Sequence, residues 1–132
     1  MAASRALVPL MAQLGAPWAR AKLVPRLREL FSAHQSSYLQ RITVLYALKG
    51  LVVAPDAREA ANDVLDLVVA ALGDAVPNVR LVAAGVVRGA LDCGVYDAAR
   101  VGREVRPALQ ALAPDTDVDV RELAAQLLTA CG

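Results

Sequence analysis

Apolar positions along this chain recur at helical spacing. Val101, Val105, Leu109 and Leu112 stand four, four and three apart, which places one apolar stripe on a helix over residues 95–113. Ile42, Leu45, Leu48 and Leu51 keep the same phase over 38–53, and the same pattern predicts helices over 2–14, 19–33, 57–72, 77–93 and 118–130. Pro77 suits a first helical turn, because the amide it lacks would have no intrahelical partner there, and Gly94 suits a stop. Pro55, Gly73-Asp74 and Pro114-Asp115 punctuate the remaining boundaries. Asp115, Asp117 and Asp119 crowd the start of the last helix, where carboxylates cap free amides and meet the positive dipole end. Pro9 removes a bond to the Arg5 carbonyl and is expected to kink or shorten the first helix, at about 3 kcal/mol if fully internal, so that the amino end frays.

One unit occurs twice, 41 positions apart. Asp74-Ala75-Val76-Pro77-Asn78-Val79-Arg80-Leu81-Val82-Ala83 returns as Asp115-Thr116-Asp117-Val118-Asp119-Val120-Arg121-Glu122-Leu123-Ala124. The shared skeleton is an Asp, four residues, Val-Arg, two residues and an Ala. A period near 40 whose halves both read as helices is the signature of a HEAT-type repeat. The expected fold is therefore all-α: an α-solenoid of antiparallel helix pairs, HEAT/armadillo-like, with about three and a half repeats. Its divisions are a half repeat over 1–17 and repeats over 18–54, 55–94 and 95–132, together one domain. Such a chain works as a surface and not as a catalyst.

Composition fits this fold: of 132 residues, 57% are apolar and only 4% aromatic, giving a core of Leu, Val and Ala that lets helices approach closely. Net charge is +1 but unevenly spread. Residues 1–54 hold seven Lys/Arg against the single acid Glu29, and residues 55–132 hold seven Arg against twelve acids. The split either steers a charged partner to one end or reflects two solvated faces of opposite sign. Cys93 and Cys131 match no ligand spacing and read as small core residues. Asp66, Arg88 and several Gly and Pro interrupt every apolar run short of membrane-spanning length. The expectation is a soluble protein of the cytoplasm, with the nucleus also open. The acid-free, Arg-bearing start over residues 1–28 also matches a mitochondrial transit peptide, but the solenoid reading of that stretch is preferred.

Catalytic chemistry is missing from the pattern. His34 is the one histidine and has no Cys or second His nearby to share a metal or activate a nucleophile. The carboxylates gather at helix starts, where capping explains them, and Gly85, Gly89 and Gly94 follow no phosphate-loop spacing. No enzyme, cofactor or metal is expected. The basic first half keeps a nucleic-acid reading open, against which stand the acidic second half and only five aromatic residues for stacking.

Several segments carry a family resemblance. Leu14-Gly15, Trp18-Ala19 and Leu23-Val24-Pro25, then Tyr38-Leu39-Gln40-Arg41-Ile42-Thr43, Asn78-Val79-Arg80, Glu104-Val105-Arg106-Pro107 and Asp117-Val118-Asp119-Val120-Arg121 follow in the order seen in one group of HEAT-repeat proteins. The chain resembles the carboxy-terminal repeats of the scaffold, or A, regulatory subunit of protein phosphatase 2A. That resemblance implies a non-catalytic scaffold whose ridge of intra-repeat turns holds the phosphatase catalytic subunit, without the earlier repeats that hold an exchangeable regulatory subunit. Carried over by position, the partner-binding residues it implies are Tyr38, Leu39, Arg41 and Ile42 in one turn and Val76, Asn78 and Arg80 in the next. The chain departs from the pattern in its first turn, where Pro25 and Arg41 are two residues further apart than Asp66 and Arg80 or Pro107 and Arg121. An Arg at this place also commonly ties neighbouring repeats through an Asp in the adjacent turn, the preferred reading for Arg121. A large ring in a polar turn has less to gain structurally, so Tyr38 is expected to make a contact. Other readings are a generic HEAT-repeat interaction or nucleic-acid module, or a truncated paralogue without a role. An uncapped helix over 2–14 would favour self-association.

Overall fold

The computed structural model describes residues 17–33, 37–56 and 58–131. The predicted helix over 2–14, with its Pro9 kink and its proposed self-association, lies outside the described residues, as does His34. Three helix pairs follow one another. The first pair is a π-helical turn, Ala19–Leu23, running into α1 (Val24–Ser32), and then α2 (Tyr38–Val52). The second is α3 (Arg58–Asp63) and α4 (Leu65–Leu72), followed by α5 (Pro77–Cys93). The third is α6 (Ala98–Arg100), a π-helical turn Val101–Val105 and α7 (Arg106–Gln110), followed by α8 (Val118–Ala130).

Within each pair the two helices pack together, and each second helix lies on the next: α2 on α5, and α5 on α8. The first helices stack likewise, the Ala19–Leu23 turn against α3 and α4 against α7. The chain is thus an α-solenoid of HEAT-like repeats, with no strand among the described residues. Its core runs between the two layers through Leu45, Leu48, Leu65, Leu72, Val79, Val86 and Leu109, all fully or almost fully buried. Among the described residues no charged or polar one is buried with them.

The three first helices lose regular bonding at one shared register. Leu23, Val64 and Val105 are spaced 41 apart, and each closes or interrupts a helical segment. In the outer two repeats a proline follows two positions on. Pro25 and Pro107 have no amide to give the carbonyl four residues back, and their rings crowd it. The helix answers by widening one turn, so that the Val24 amide bonds Ala19 and the Arg106 amide bonds Val101, five residues back. The pattern predicts unbroken helices at both places; the 82-residue spacing of these prolines is the signal for the widened turns.

The second helices start and stop on local chemistry. The Ser37 hydroxyl accepts from the Gln40 amide at 3.1 Å, and Asp117 accepts from the amides of Asp119 and Val120. At the end of α5 the Val95 amide reaches Ala90 and the Gly94 amide reaches Leu91, a closure that needs Gly94 at φ +64°. Gly94 and Val95 are used in that closure and Asp97 is the N-cap, so the following helix begins at Ala98 and not at Val95 as the apolar stripe predicts.

Candidate docking ridge

The intra-repeat turns share one internal scaffold. Arg41 donates from Nε and Nη2 to the Asp74 carboxylate at 2.7 and 3.1 Å, and the same carboxylate accepts the Val76 amide at 3.0 Å. One repeat on, Arg80 Nε lies 2.7 Å from Asp115 Oδ2, Arg80 Nη2 donates to Oδ1 at 3.0 Å, and Oδ1 accepts the Asp117 amide at 2.9 Å. Each Asp therefore shapes its own turn and receives the arginine of the preceding repeat. Arg80 also donates to the Asp74 carbonyl at 2.8 Å, and Arg121 does the same to the Asp115 carbonyl at 2.7 Å. Arg80 thus spans the turn behind it and the turn ahead.

These contacts hold the carboxylates charged. Burial pushes the Asp74 carboxyl up, but hydrogen bonds from Arg41 and the Val76 amide, with the Arg41 and Arg80 charges, outweigh it and leave its pKa below the usual carboxylate value. Asp115 is held below that value first by its hydrogen bond from Arg80 and then by the Asp117 amide.

With the arginines anchored, the outward groups differ from those that carry the charge. Tyr38 is 45% exposed and Leu39 60% exposed at the head of α2. Asn78 is exposed at the matching place on α5. Ile42 and Val76 are half-buried and pack against the core, and Arg41 and Arg80 are half-buried in their ion pairs. Four of the seven residues singled out from sequence therefore build the ridge from within, and Tyr38, Leu39 and Asn78 face solvent. The register also places Pro77 and Val118 at the positions of Tyr38, counted back from Arg80 and Arg121. Both are exposed, Val118 at 50%, so a row of apolar groups crosses all three turns. Counting three residues back from each Val-Arg arginine would have found them.

A second seam joins the first helices. Arg20 donates to Asp63 and Glu59, both at 2.7 Å, and Arg28 donates to Asp66 at 2.6 Å and to the Asp63 carbonyl at 2.8 Å. Asn62 bridges forward, donating to the Val95 carbonyl at 2.8 Å and accepting the Asp97 amide at 3.1 Å. This seam is polar and partly exposed. It sets the spacing of the repeats and with it the spacing of the ridge.

No protein-family model matches the chain. The chain is similar to the yeast (Saccharomyces cerevisiae) regulatory A-subunit of protein phosphatase PP2A, with 30% identity over 122 residues. The match takes in 89% of this chain and 19% of that relative, so the chain spans about one fifth of its length. The likeness and the stacked helix pairs agree on a HEAT-like relationship.

Proposed function

We propose that the chain is a non-catalytic scaffold module that docks the catalytic subunit of a phosphatase 2A-type serine/threonine phosphatase on its turn ridge. The observation that carries this reading is the pair Tyr38 and Leu39, exposed side by side at the head of α2, next to Arg41 whose guanidinium is held by Asp74. An exposed ring and an exposed leucine gain nothing for the fold where they stand, and rings of this kind anchor interface centres. The likeness to a phosphatase regulatory protein supports the choice of partner. Tyr38, Leu39 and Asn78 are the contact residues of this reading, extended by Pro77 and Val118. Arg41, Ile42, Val76 and Arg80 hold the ridge in shape.

The test is recovery of the phosphatase catalytic subunit on the immobilised chain and on its Tyr38→Ala and Arg80→Glu variants. Tyr38→Ala should lower recovery with the thermal melt unchanged, whereas Arg80→Glu should lower recovery and the melt together. Equal recovery on all three would remove the ridge as the site.

A further inference from the structure

The ion pairs between repeats leave a gap on the solvent side of the second helices. Arg20, Arg28, Arg41, Arg58 and Arg80 each meet an acid of the next repeat. Lys49 and Arg88, both exposed and each eight residues beyond a turn arginine, do not. At Lys49 the next repeat presents Gly85, where an added Cβ would lie 3.9 Å from the ammonium Nζ. At Arg88 it presents Gln126, whose Oε1 accepts from Nη2 at 3.3 Å. Among the described residues no carboxylate lies within ion-pair distance of either cation, although for both the next repeat is in place. Lys49 belongs to α2 and Arg88 to α5, which pack together, so the two charges stand on neighbouring helices with axes about 8–10 Å apart. Exposed acids stand to either side: Asp92 one turn beyond Arg88, and Glu122 one turn before Gln126.

We infer that Lys49 and Arg88 bind an acidic segment of a protein partner, laid across α2 and α5 with one carboxylate on each cation. Carboxylates two residues apart, on one side of an extended segment, are about 7 Å from each other, within reach of both flexible stems. Gly85 leaves the floor beside Lys49 open, so a partner backbone can lie close there. Half-buried Leu81 and Val82, further back along α5, offer apolar surface to the residues that flank the carboxylates. The neighbouring acids select against nucleic acid. A strand carries a charge on every nucleotide and would press phosphates against Asp92 and Glu122, whereas a segment with two carboxylates meets the two cations alone. This binding is separate from phosphatase docking, which uses the turn ridge.

Fluorescence anisotropy tests it with a labelled nonapeptide carrying Glu-Ala-Glu at its centre between leucines, at about 50 mM salt. The native chain should bind it with a Kd on the order of 100 µM, and the same peptide with Gln-Ala-Gln should not bind. Lys49→Gln and Arg88→Gln should each weaken binding about fivefold or more. Gln126→Glu gives Arg88 the internal carboxylate it lacks, so it should weaken binding as much while the thermal melt holds or rises. Lys22→Gln removes an exposed cation from the first-helix layer and should leave binding unchanged. All four positions are exposed, so each variant should melt as a folded chain. No saturable binding by the native chain up to about 1 mM overturns the inference. Equal binding of the two peptides, affinity unmoved by the changes at Lys49 and Arg88, or an equal loss from Lys22→Gln also overturns it. A labelled single-stranded RNA nonamer that binds more tightly than the acidic peptide, and is released by the same two substitutions, overturns it in favour of nucleic acid.

Discussion

Arg28 donates to the Asp66 carboxylate at 2.6 Å across 38 residues of sequence, from the first repeat into the second. Among the described residues the other ion pairs between repeats have the same direction: Arg20 to Glu59 and Asp63, Arg41 to Asp74, Arg58 to Asp97 and Arg80 to Asp115. Acids therefore trail their cations by one repeat. That offset sets Arg20, Arg28 and Arg41 of the first half against Glu59, Asp63, Asp66 and Asp74 of the second, so a good part of the uneven charge of the sequence is internal pairing.

Breaking one rung should show how the two halves of a turn share the Asp. Arg41→Ala removes a largely buried pairing and should cost about 2 kcal/mol, between the values for exposed and buried pairs. Asp74→Ala removes the same pair and also the bond from the Val76 amide, so it should cost about 1 kcal/mol more. Urea unfolding midpoints of the two single variants check this order; the reverse order would contradict it.

Acid should loosen the stack. Asp66, Asp74 and Asp115 have pKa values lowered in the folded chain, Asp66 chiefly by the Arg28 hydrogen bond. A carboxyl depressed by folding contributes stability that is fully present above its unfolded pKa, about 4, and is lost as pH falls through the folded value. Melting temperature should hold nearly level from pH 7 to about pH 5 and drop steeply below about pH 4. In Asp74→Asn the acid limb of that curve should flatten.

Two glycines should respond oppositely to one change. Gly94 sits at φ +64°, so Gly94→Ala should destabilise by about 1 kcal/mol although nothing lies within 4 Å of the added methyl. Gly102 has equal space and lies in the helical turn Val101–Val105 without a positive φ, so Gly102→Ala should be neutral or stabilise by up to about 1 kcal/mol. Thermal melts of the pair decide it, and loss of stability in both would contradict the backbone argument.

What the sequence made legible was whatever repeats. The Asp-to-Arg skeleton shared by residues 74–83 and 115–124 locates two turns and the second helix after each, and α5 and α8 start where Pro77 and the aspartates place them. The first helices were harder to read. Their apolar stripes run on through Leu23, Val64 and Val105; Pro25 and Pro107 mark the two widened turns, and only the bonding of individual amides shows the break at Val64. The ridge was half legible for a related reason. The resemblance marks Arg41 and Arg80 as contact groups, whereas the tie to an Asp of the adjacent turn, the other reading of an Arg at this place, is the role they take, with carboxylates 33 and 35 residues away in sequence. Pro77 and Val118 read as helix starters, and their exposed alignment with Tyr38 emerges only once the repeats are stacked.

The most direct test is the affinity of the phosphatase catalytic subunit for three forms of this chain: native, Tyr38→Ala with Leu39→Ala, and Val53→Ser. Val53 is as exposed as the ridge residues, at 50%, but stands at the far end of α2. The account predicts at least about a tenfold loss for the double variant and native affinity for Val53→Ser. Equal affinity in all three, or loss confined to Val53→Ser, would contradict it.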